Sequence, residues 1–450
     1  MKVPVERGAV RRDVDHRSET EAPLGVGVGH RYSPVVVIAL IIGMLPLANG
    51  LLFRAYTFPL RPAGLNPLFE LEFLYLLAEL GLILWARAQG MVFKTEFLKL
   101  NQLTRYALLA FLSLFWISSV AFAPAPIYSA IRAFYWLVHI GCAFAVGYLI
   151  ATVNRQLLQT ATVAVSLTFV VLYLFVMGHL YFSPVPMTER PQGYWGAIIP
   201  GFISIRQFGM LAGFVLTGWG ALVLIEKQPP LGRVMCLIVT TLIITAMLWS
   251  GTRSALLATG VALPISLIFA RKLPSLTGCA IVVLASAFGV YLSTFMVPVD
   301  GAFGMFATPR FAIGEGTDFG SGRLDLWKFA TEMFLKSPLL GWGEGSFYQL
   351  FALANGDYHV QPHNFVIQFL MSWGILAGGI ALVMMAKALL RLHLGLHSAQ
   401  RMIMPLAVLD SILVMALLDG ALFTLRTILP AIFFWILAEK ISAENNLARI

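Results

Sequence analysis

Four polar residues stand in stretches that are otherwise apolar, and their types suit one kind of chemistry. Arg206 lies in Ser204-Ile205-Arg206-Gln207, and Arg253 in Ser250-Gly251-Thr252-Arg253-Ser254. Arg323 follows Gly320-Ser321-Gly322, and His363 lies in Gln361-Pro362-His363-Asn364-Phe365. A guanidinium is a planar fork that donates two parallel hydrogen bonds to phosphate oxygens and stays charged at any working pH. Fixed cations of this kind hold a diphosphate and stabilise the charge that develops on it as a leaving group. Histidine offers the complementary function, because a neutral imidazole accepts a proton from an attacking hydroxyl. Pro362 and Asn364 suit a helix start at His363, where the helix dipole disfavours added positive charge and favours the neutral ring. Gln207 and Asn364 are neighbouring polar groups able to support such a site.

Each of these residues also has a plainer use. An arginine near a membrane boundary snorkels to the interface or pairs with a carboxylate. A histidine there can be purely structural. Several arginines on one face of the chain are harder to explain singly. A metal is the competing use of the histidine, since Asp357, His359 and His363 lie close in sequence. Pro362 breaks any helix that would put both histidines on one face. The chain also has no Asp-rich cluster of the kind that holds a hard cation and phosphate. Neither a metal nor a cofactor is expected. The three cysteines, Cys142, Cys236 and Cys279, sit inside apolar runs and fit no metal or disulfide framework.

The elements that must position these residues follow from composition. Of 450 residues, 59% are hydrophobic and 12% charged, against about 25% charged in a soluble domain. Mean hydropathy is +0.82. Runs such as Val35 to Leu47 and Thr277 to Gly289 are unbroken and do not alternate, which excludes a β-barrel and leaves helices as the spanning solution. The fold class is therefore all-α, a polytopic transmembrane helical bundle of about twelve spans. Apolar stretches lie near 34–53, 68–86, 103–123, 129–150, 157–182, 205–225, 232–249, 254–270, 275–297, 363–389, 402–418 and 421–438. The net charge of +9 is explained by Lys and Arg in cytoplasmic loops, not by a nucleic-acid partner.

The distribution of positive charge sets the orientation. With the basic N-terminal segment inside, the inner loops hold Arg87, Lys94 and Lys99, then Arg155, Lys227 and Arg233, Arg271 and Lys272, and Arg391 and Arg401. Lys440 and Arg449 follow on the tail, while the early outward turns carry only Arg54 and Arg61. Both termini are thus expected on the cytoplasmic side of the membrane. The organisation reads as a tail over 1–33, nine spans over 34–297, a large outward loop over 298–362, three spans over 363–438 and a second tail over 439–450. Within that loop, Arg323 to Lys336 reads as an amphipathic helix with Leu324, Trp327, Phe334 and Leu335 among its apolar positions. Such a helix suits the membrane surface. The segment Ser183 to Ser204 is a second long outward connection.

This orientation puts Arg206, Arg253, Arg323 and His363 on the outward face. Charged residues at membrane depth are costly and mark function by default. Asp410, Glu72 and Glu79 lie within spans, where pairing with a neighbouring Lys or Arg or a place in a proton path are both open. Asp419 and Arg426 flank the outward end of the last hairpin, and Arg426 is a further candidate for the outward site.

Taken in order, four segments resemble the O-antigen ligase and polymerase superfamily of bacterial membrane glycosyltransferases. They are Ser250-Gly251-Thr252-Arg253-Ser254-Ala255, Ser321-Gly322-Arg323 through Trp327, Ser337-Pro338-Leu339-Leu340-Gly341-Trp342-Gly343, and His363-Asn364 through Gly374. The resemblance covers mainly residues 200–380, and the stretch around Arg206 matches only loosely. It implies a metal-independent, inverting glycosyltransferase with its active site on the periplasmic face. The donor would be a glycan on undecaprenyl diphosphate and the acceptor a sugar hydroxyl, most simply on lipid A–core. Arg206 and Arg253, with Arg323 assisting, would hold the diphosphate, and His363 would activate the hydroxyl. The same superfamily includes O-antigen and exopolysaccharide polymerases, whose acceptor is a growing lipid-linked polysaccharide. From another class, a polysaccharide transporter or flippase would use Asp410, Glu72 and Glu79 in a polar pathway, but paired broken spans in two related halves are not apparent. A structural partner in an assembly complex is the third reading.

Overall fold

A computed structural model describes residues 33–52, 73–182, 199–202, 205–226, 228–296, 323–355 and 359–447. Among these residues every regular element is helical. The first half of the chain contributes α1 (Pro34–Leu52), α2 (Phe73–Ala88), α3 (Phe93–Lys99), α4 (Gln102–Ile117, continued by a π-turn to Phe122), α5 (Pro126–Leu149), α6 (Arg155–Phe182) and α7 (Ile205–Ile225). The second half contributes α8 (Pro230–Trp249), α9 (Arg253–Phe269), α10 (Leu276–Ser293), α11 (Arg323–Lys336), α12 (Ser346–Asn355), α13 (Phe365–Trp373), α14 (Gly379–Gly395), α15 (Ile403–Asp419) and α16 (Leu425–Leu447). Local chemistry sets several starts. Proline opens α5 and α8, where its missing N–H is no loss. The side chain of Asn101 caps α4 by accepting from Thr104 N at 2.9 Å, and Ser275 caps α10 by accepting from Gly278 N at 3.0 Å.

Each apolar stretch read from the sequence holds a helix, but not all are membrane spans by the same measure. Among the described residues nine helices are long and apolar enough to cross a bilayer, and ten if α2 and α3, bent by 93°, count as one. The 17 residues of α9 reach only about 26 Å, short of a ~30 Å hydrocarbon core. The α16 helix carries Arg426, Glu439, Lys440 and Glu444 and is not among the nine. Most of the segment 183–204, expected to face outward, lies outside the described residues.

Burial separates an inner set of helices from an outer one. The apolar windows of α7 and α15 are 89% and 78% buried, whereas those of α4 and α10 are 22% buried. Outer helices expose Val283, Leu284, Leu103 and Leu109, which suits contact with lipid. The inner helices are joined by small residues and hydroxyls, the usual means where lipid removes the hydrophobic drive to associate. Thr217 of α7 hydrogen-bonds Thr259 of α9 at 3.1 Å and Ser411 of α15 at 3.2 Å. A Cβ at Gly213 would lie 3.0 Å from the Ala255 Cβ, so α7 and α9 nearly touch there. This trio runs through the centre, and its two ends carry most of the polar residues discussed below.

Two carboxylates within the bundle have partners different in kind from those expected. Glu79 meets His139 of α5 at 2.6 Å, and Asp410 meets His393 of α14 at 3.0 Å. In each pair the partner is histidine and not the Lys or Arg weighed from the sequence. Glu72 lies outside the described residues.

The predicted helix over Arg323 to Lys336 is present as α11. Its packed face is Leu326, Ala330 and Met333, which meet Phe347 and Phe351 of α12 and Met371 of α13. Of the apolar positions read from the sequence, Phe334 packs against this cluster, Trp327 is half-buried, and Leu324 and Leu335 are exposed. The helix therefore has some apolar positions against protein and others left open.

Candidate active site

The site forms where α7 and α9 begin and α15 ends. The α8–α9 turn packs onto the first turns of α7. Thr252 Oγ1 donates to the carbonyl of Arg206 at 3.5 Å, and Gly209 leaves room for the Ser250 and Thr252 hydroxyls. Arg206 and Arg253 thus start adjacent helices at one level, and both side chains are exposed. The Arg253 side chain makes no hydrogen bond or ion pair to another described residue. Gln207 is half-buried in the first turn of α7.

Arg323 and His363 arrive from the other side on the α11–α12 hairpin and the start of α13. A backbone clasp seats them. Trp342 N donates to Met371 O at 3.1 Å, Gly343 N to Ser372 O at 2.7 Å, and Ile375 N to Pro338 O at 2.8 Å. Trp342 Nε1 closes back on Met333 O at 2.8 Å. The clasp depends on two glycines with positive φ, Gly341 at 70° and Gly374 at 65°. A Cβ on Gly341 would sit 2.5 Å from Gly374 N and from Ser372 O, and one on Gly374 would sit 2.2 Å from Leu339 O. The Ser337 to Gly343 motif is therefore a positioning device.

His363 itself has φ 57°, a left-handed conformation that costs a non-glycine residue of order 1 kcal/mol. The next residue explains how it is held. Asn364 is the N-cap of α13, its side-chain oxygen accepting from Val366 N at 3.0 Å and Ile367 N at 3.2 Å. The helix start read from Pro362 and Asn364 is present. His359 turns instead to Phe351, with ring centroids 5.3 Å apart, and Asp357 lies outside the described residues.

Asp419, the last residue of α15, joins the parts. One carboxylate oxygen accepts from Arg323 Nη2 and the other from the Ser254 hydroxyl, beside Arg253. Its backbone carbonyl lies 3.2 Å from His363 Nδ1. A carbonyl can only accept, so Nδ1 carries the hydrogen, and the neutral ring keeps its lone pair on Nε2. Burial pushes the imidazole below its ordinary value of 6.5, the Asp419 carbonyl and carboxylate oppose this, and the Arg323 and Arg206 guanidiniums push the same way as burial. The neutral ring expected from a helix dipole is thus favoured chiefly by desolvation.

Arg426 lies at the same end but turns inward. It is 3% exposed, donates from Nη2 to Gly201 O at 2.8 Å and stacks 4.1 Å over the Phe202 ring. Its Nε and Nη1 have no hydrogen-bond partner among the described residues. The structure brings Arg323, His363, Asp419 and Ser254 into one bonded cluster, with Arg206 and Arg253 beside it. Sequence reading did not single out Asp419 as its centre or Ser254 as a member. The available signal was an Asp closing an otherwise apolar span directly before Gly420.

A polytopic membrane protein with guanidiniums, a carboxylate and a neutral histidine at one end of its central helices has the parts for group transfer from an anionic leaving group. Residues 238–383 match the family model described as O-antigen ligase. That segment runs from within α8 into α14, so it includes Arg253, Arg323, the clasp and His363 but not Arg206, Asp419 or Arg426. No curated protein matches the chain. Over the matched segment the chain is similar to membrane enzymes of the O-antigen ligase and polymerase type, whose members are glycosyltransferase-like.

Proposed function

We propose that the protein transfers a glycan from undecaprenyl diphosphate to a sugar hydroxyl of an acceptor glycolipid, lipid A–core in the simplest case, as an O-antigen ligase. The observation that carries this reading is the Asp419 junction, which holds Arg323, Ser254 and His363 together beside Arg206 and Arg253. The exposed Arg206 and Arg253 side chains are placed to meet a ligand from outside the bundle. In this reading they bind the diphosphate oxygens, and Arg323, fixed by Asp419, adds charge where the leaving oxygen develops it. Gln207 and the buried Arg426 support that end of the site, and Asn364 holds the backbone that presents His363.

The acceptor oxygen attacks the anomeric carbon as the bond from that carbon to the diphosphate oxygen breaks. The bonding pair leaves with the polyprenyl diphosphate, and the hydroxyl proton passes to His363 Nε2. Attack opposite the leaving group inverts the anomeric centre, and no step calls on a metal. A bound diphosphate raises the proton affinity of the nearby imidazole at the moment the hydroxyl must lose its proton. The positive charge near 87–99, 155, 227–233, 271–272 and 391–401 supports an inner-membrane orientation with both termini cytoplasmic and the active site periplasmic.

The test is the glycolipid profile of a strain lacking the protein, complemented with wild type or His363→Ala. Full-length polymer retained on undecaprenyl diphosphate, with unmodified lipid A–core, is the ligase outcome. Single lipid-linked repeat units would instead assign a polymerase. An unchanged profile would overturn glycan transfer.

A further inference from the structure

A guanidinium cannot shed its charge, and burying a charge is costly unless something answers it. Arg426 of α16 is 3% exposed, and among the described residues no carboxylate pairs with it. Its hydrogen bonding there goes to one atom: Nη2 donates to Gly201 O at 2.8 Å. The guanidinium lies 4.1 Å over the Phe202 ring and 5.7 Å from the centre of the Tyr75 ring of α2. The ring faces supply negative potential in place of a carboxylate.

The segment that Arg426 grips is short and tightly specified. Ile199-Pro200-Gly201-Phe202 is a turn closed by Phe202 N donating to Ile199 O at 3.1 Å. Pro200 presets its own φ, and Gly201 takes a φ of 78°, which favours glycine. Asn49 of α1 donates from Nδ2 to the same Gly201 carbonyl at 2.7 Å, so both lone pairs of that oxygen are taken. A Cβ on Gly201 would lie 2.4 Å from Gly50 N, so the turn sits directly against α1. Two helices far apart in sequence, α1 and α16, thus hold one carbonyl between them.

The turn is joined to the candidate site through aromatic rings. Phe202 is fully buried and meets Phe208 of α7 edge-on, with ring centroids 5.5 Å apart. Phe208 also meets Trp249, the last residue of α8, at 6.0 Å. Arg206 is four residues beyond Phe202 and two before Phe208, so its backbone lies between two held points. We propose that Arg426 is a positioning residue for Arg206. With Asn49 it locks the Pro200–Gly201 turn, and the turn sets where α7 starts and where Arg206 presents its guanidinium to the diphosphate. Arg426 does not touch the ligand, since it is closed to solvent and its bonded nitrogen faces Gly201. The proposal rests on the reading of Arg206 as a diphosphate ligand.

A double-mutant cycle on binding of undecaprenyl diphosphate to the full-length protein in detergent tests this, read by microscale thermophoresis. The variants are Arg206→Gln, Arg426→Met and the two combined. Methionine keeps much of the stem and buries no charge, and Asn49 still serves the Gly201 carbonyl; a matched thermal midpoint verifies folding. If Arg426→Met lowers the midpoint, Phe202→Leu takes its place in the cycle, since it keeps Arg426 and removes only the ring. Arg206→Gln should weaken binding roughly ten- to a hundredfold, as loss of a charged hydrogen bond does. Arg426→Met should weaken it by about two- to thirtyfold. The combined variant should bind no more weakly than Arg206→Gln alone, because the same contact is lost in both. Losses that multiply, or wild-type affinity in Arg426→Met, would overturn the positioning role. Wild-type affinity in Arg206→Gln is a different failure: it would overturn the diphosphate reading of that arginine, and this proposal with it.

Discussion

The two ends of the α7–α9–α15 trio carry positive charge to different ends. Around Asp419 the polar groups are bonded to one another. A carboxylate holds a guanidinium and a hydroxyl, and its own backbone holds the imidazole. Where α6 begins and α7 ends, each cation has its own neighbour: Glu226 for Arg155, the Gln400 amide for Lys272, the Val153 carbonyl for Arg401. The first arrangement fixes the geometry around an imidazole, and the second leaves a loose rim of charge. Net charge alone does not distinguish them. What distinguishes them is whether one buried acceptor ties the donors together.

The largest effect should come from removing the imidazole. His363→Ala is expected to lower glycan transfer by about 10²- to 10⁴-fold, the range general base catalysis supplies. Protein level and membrane insertion should stay the same, as read by immunoblot of membrane fractions. Arg233→Gln is the matching change at the other end. Arg233 is exposed near the start of α8, with its Nε on Gln228 O at 3.1 Å, and its loss should leave transfer unchanged. Equal losses in the two variants would erase the distinction between the ends.

Next in size is the junction itself. Asp419→Asn keeps the side-chain shape and the carbonyl that faces His363 but removes the negative charge that holds Arg323. A hydrogen bond to a charged group contributes about 1.5–3 kcal/mol, so transfer should fall roughly ten- to a hundredfold. Steady-state kinetics should place the loss in kcat more than in KM if Arg323 acts on the leaving group. Wild-type rates in this variant would show that Asp419 does not organise the site.

The clasp gives a smaller, mainly structural effect. Gly341→Ala drives a Cβ into Gly374 N and Ser372 O, which are backbone atoms and cannot rotate away. With the positive φ added, the cost should be about 1–3 kcal/mol, visible as a lower thermal midpoint and weaker transfer. Gly260→Ala is the control, because nothing lies within 4 Å of its added Cβ. Equal midpoints for the two would dismiss the clasp.

These contrasts show what a sequence of this kind discloses. Long apolar runs at known spacing reveal helices, because the bilayer allows few other solutions, and α11 was legible as a helix from Arg323 to Lys336. Residues with costly chemistry, such as Arg253 and His363, also stand out against an apolar background. The role of Asp419 was not legible, because it depends on partners 165, 96 and 56 residues away. The histidine partners of Glu79 and Asp410 were missed for the same reason: helix neighbours are set by packing, which hydropathy does not encode. Which face of α11 is covered was not legible, because hydropathy marks apolar positions and only the tertiary contacts tell which of them meet protein.

The smallest expected effect is a displacement of a pH profile. Burial and two guanidiniums lower the His363 proton affinity, so its acidic limb in kcat/KM should fall below pH 6.5. The sign for stability is the same: the buried neutral ring contributes fully above the unfolded value near 6.5, and that contribution is lost as pH falls through the folded value. Arg323→Gln removes a charge that lowers the affinity, so the limb should move to higher pH. Asp419→Asn removes one that raises it, so the limb should move to lower pH. Profiles normalised to their plateaus separate this shift from any loss of rate. Opposite displacements would confirm that the imidazole feels both partners of the junction; displacement in one direction for both variants would mean that another group sets the limb.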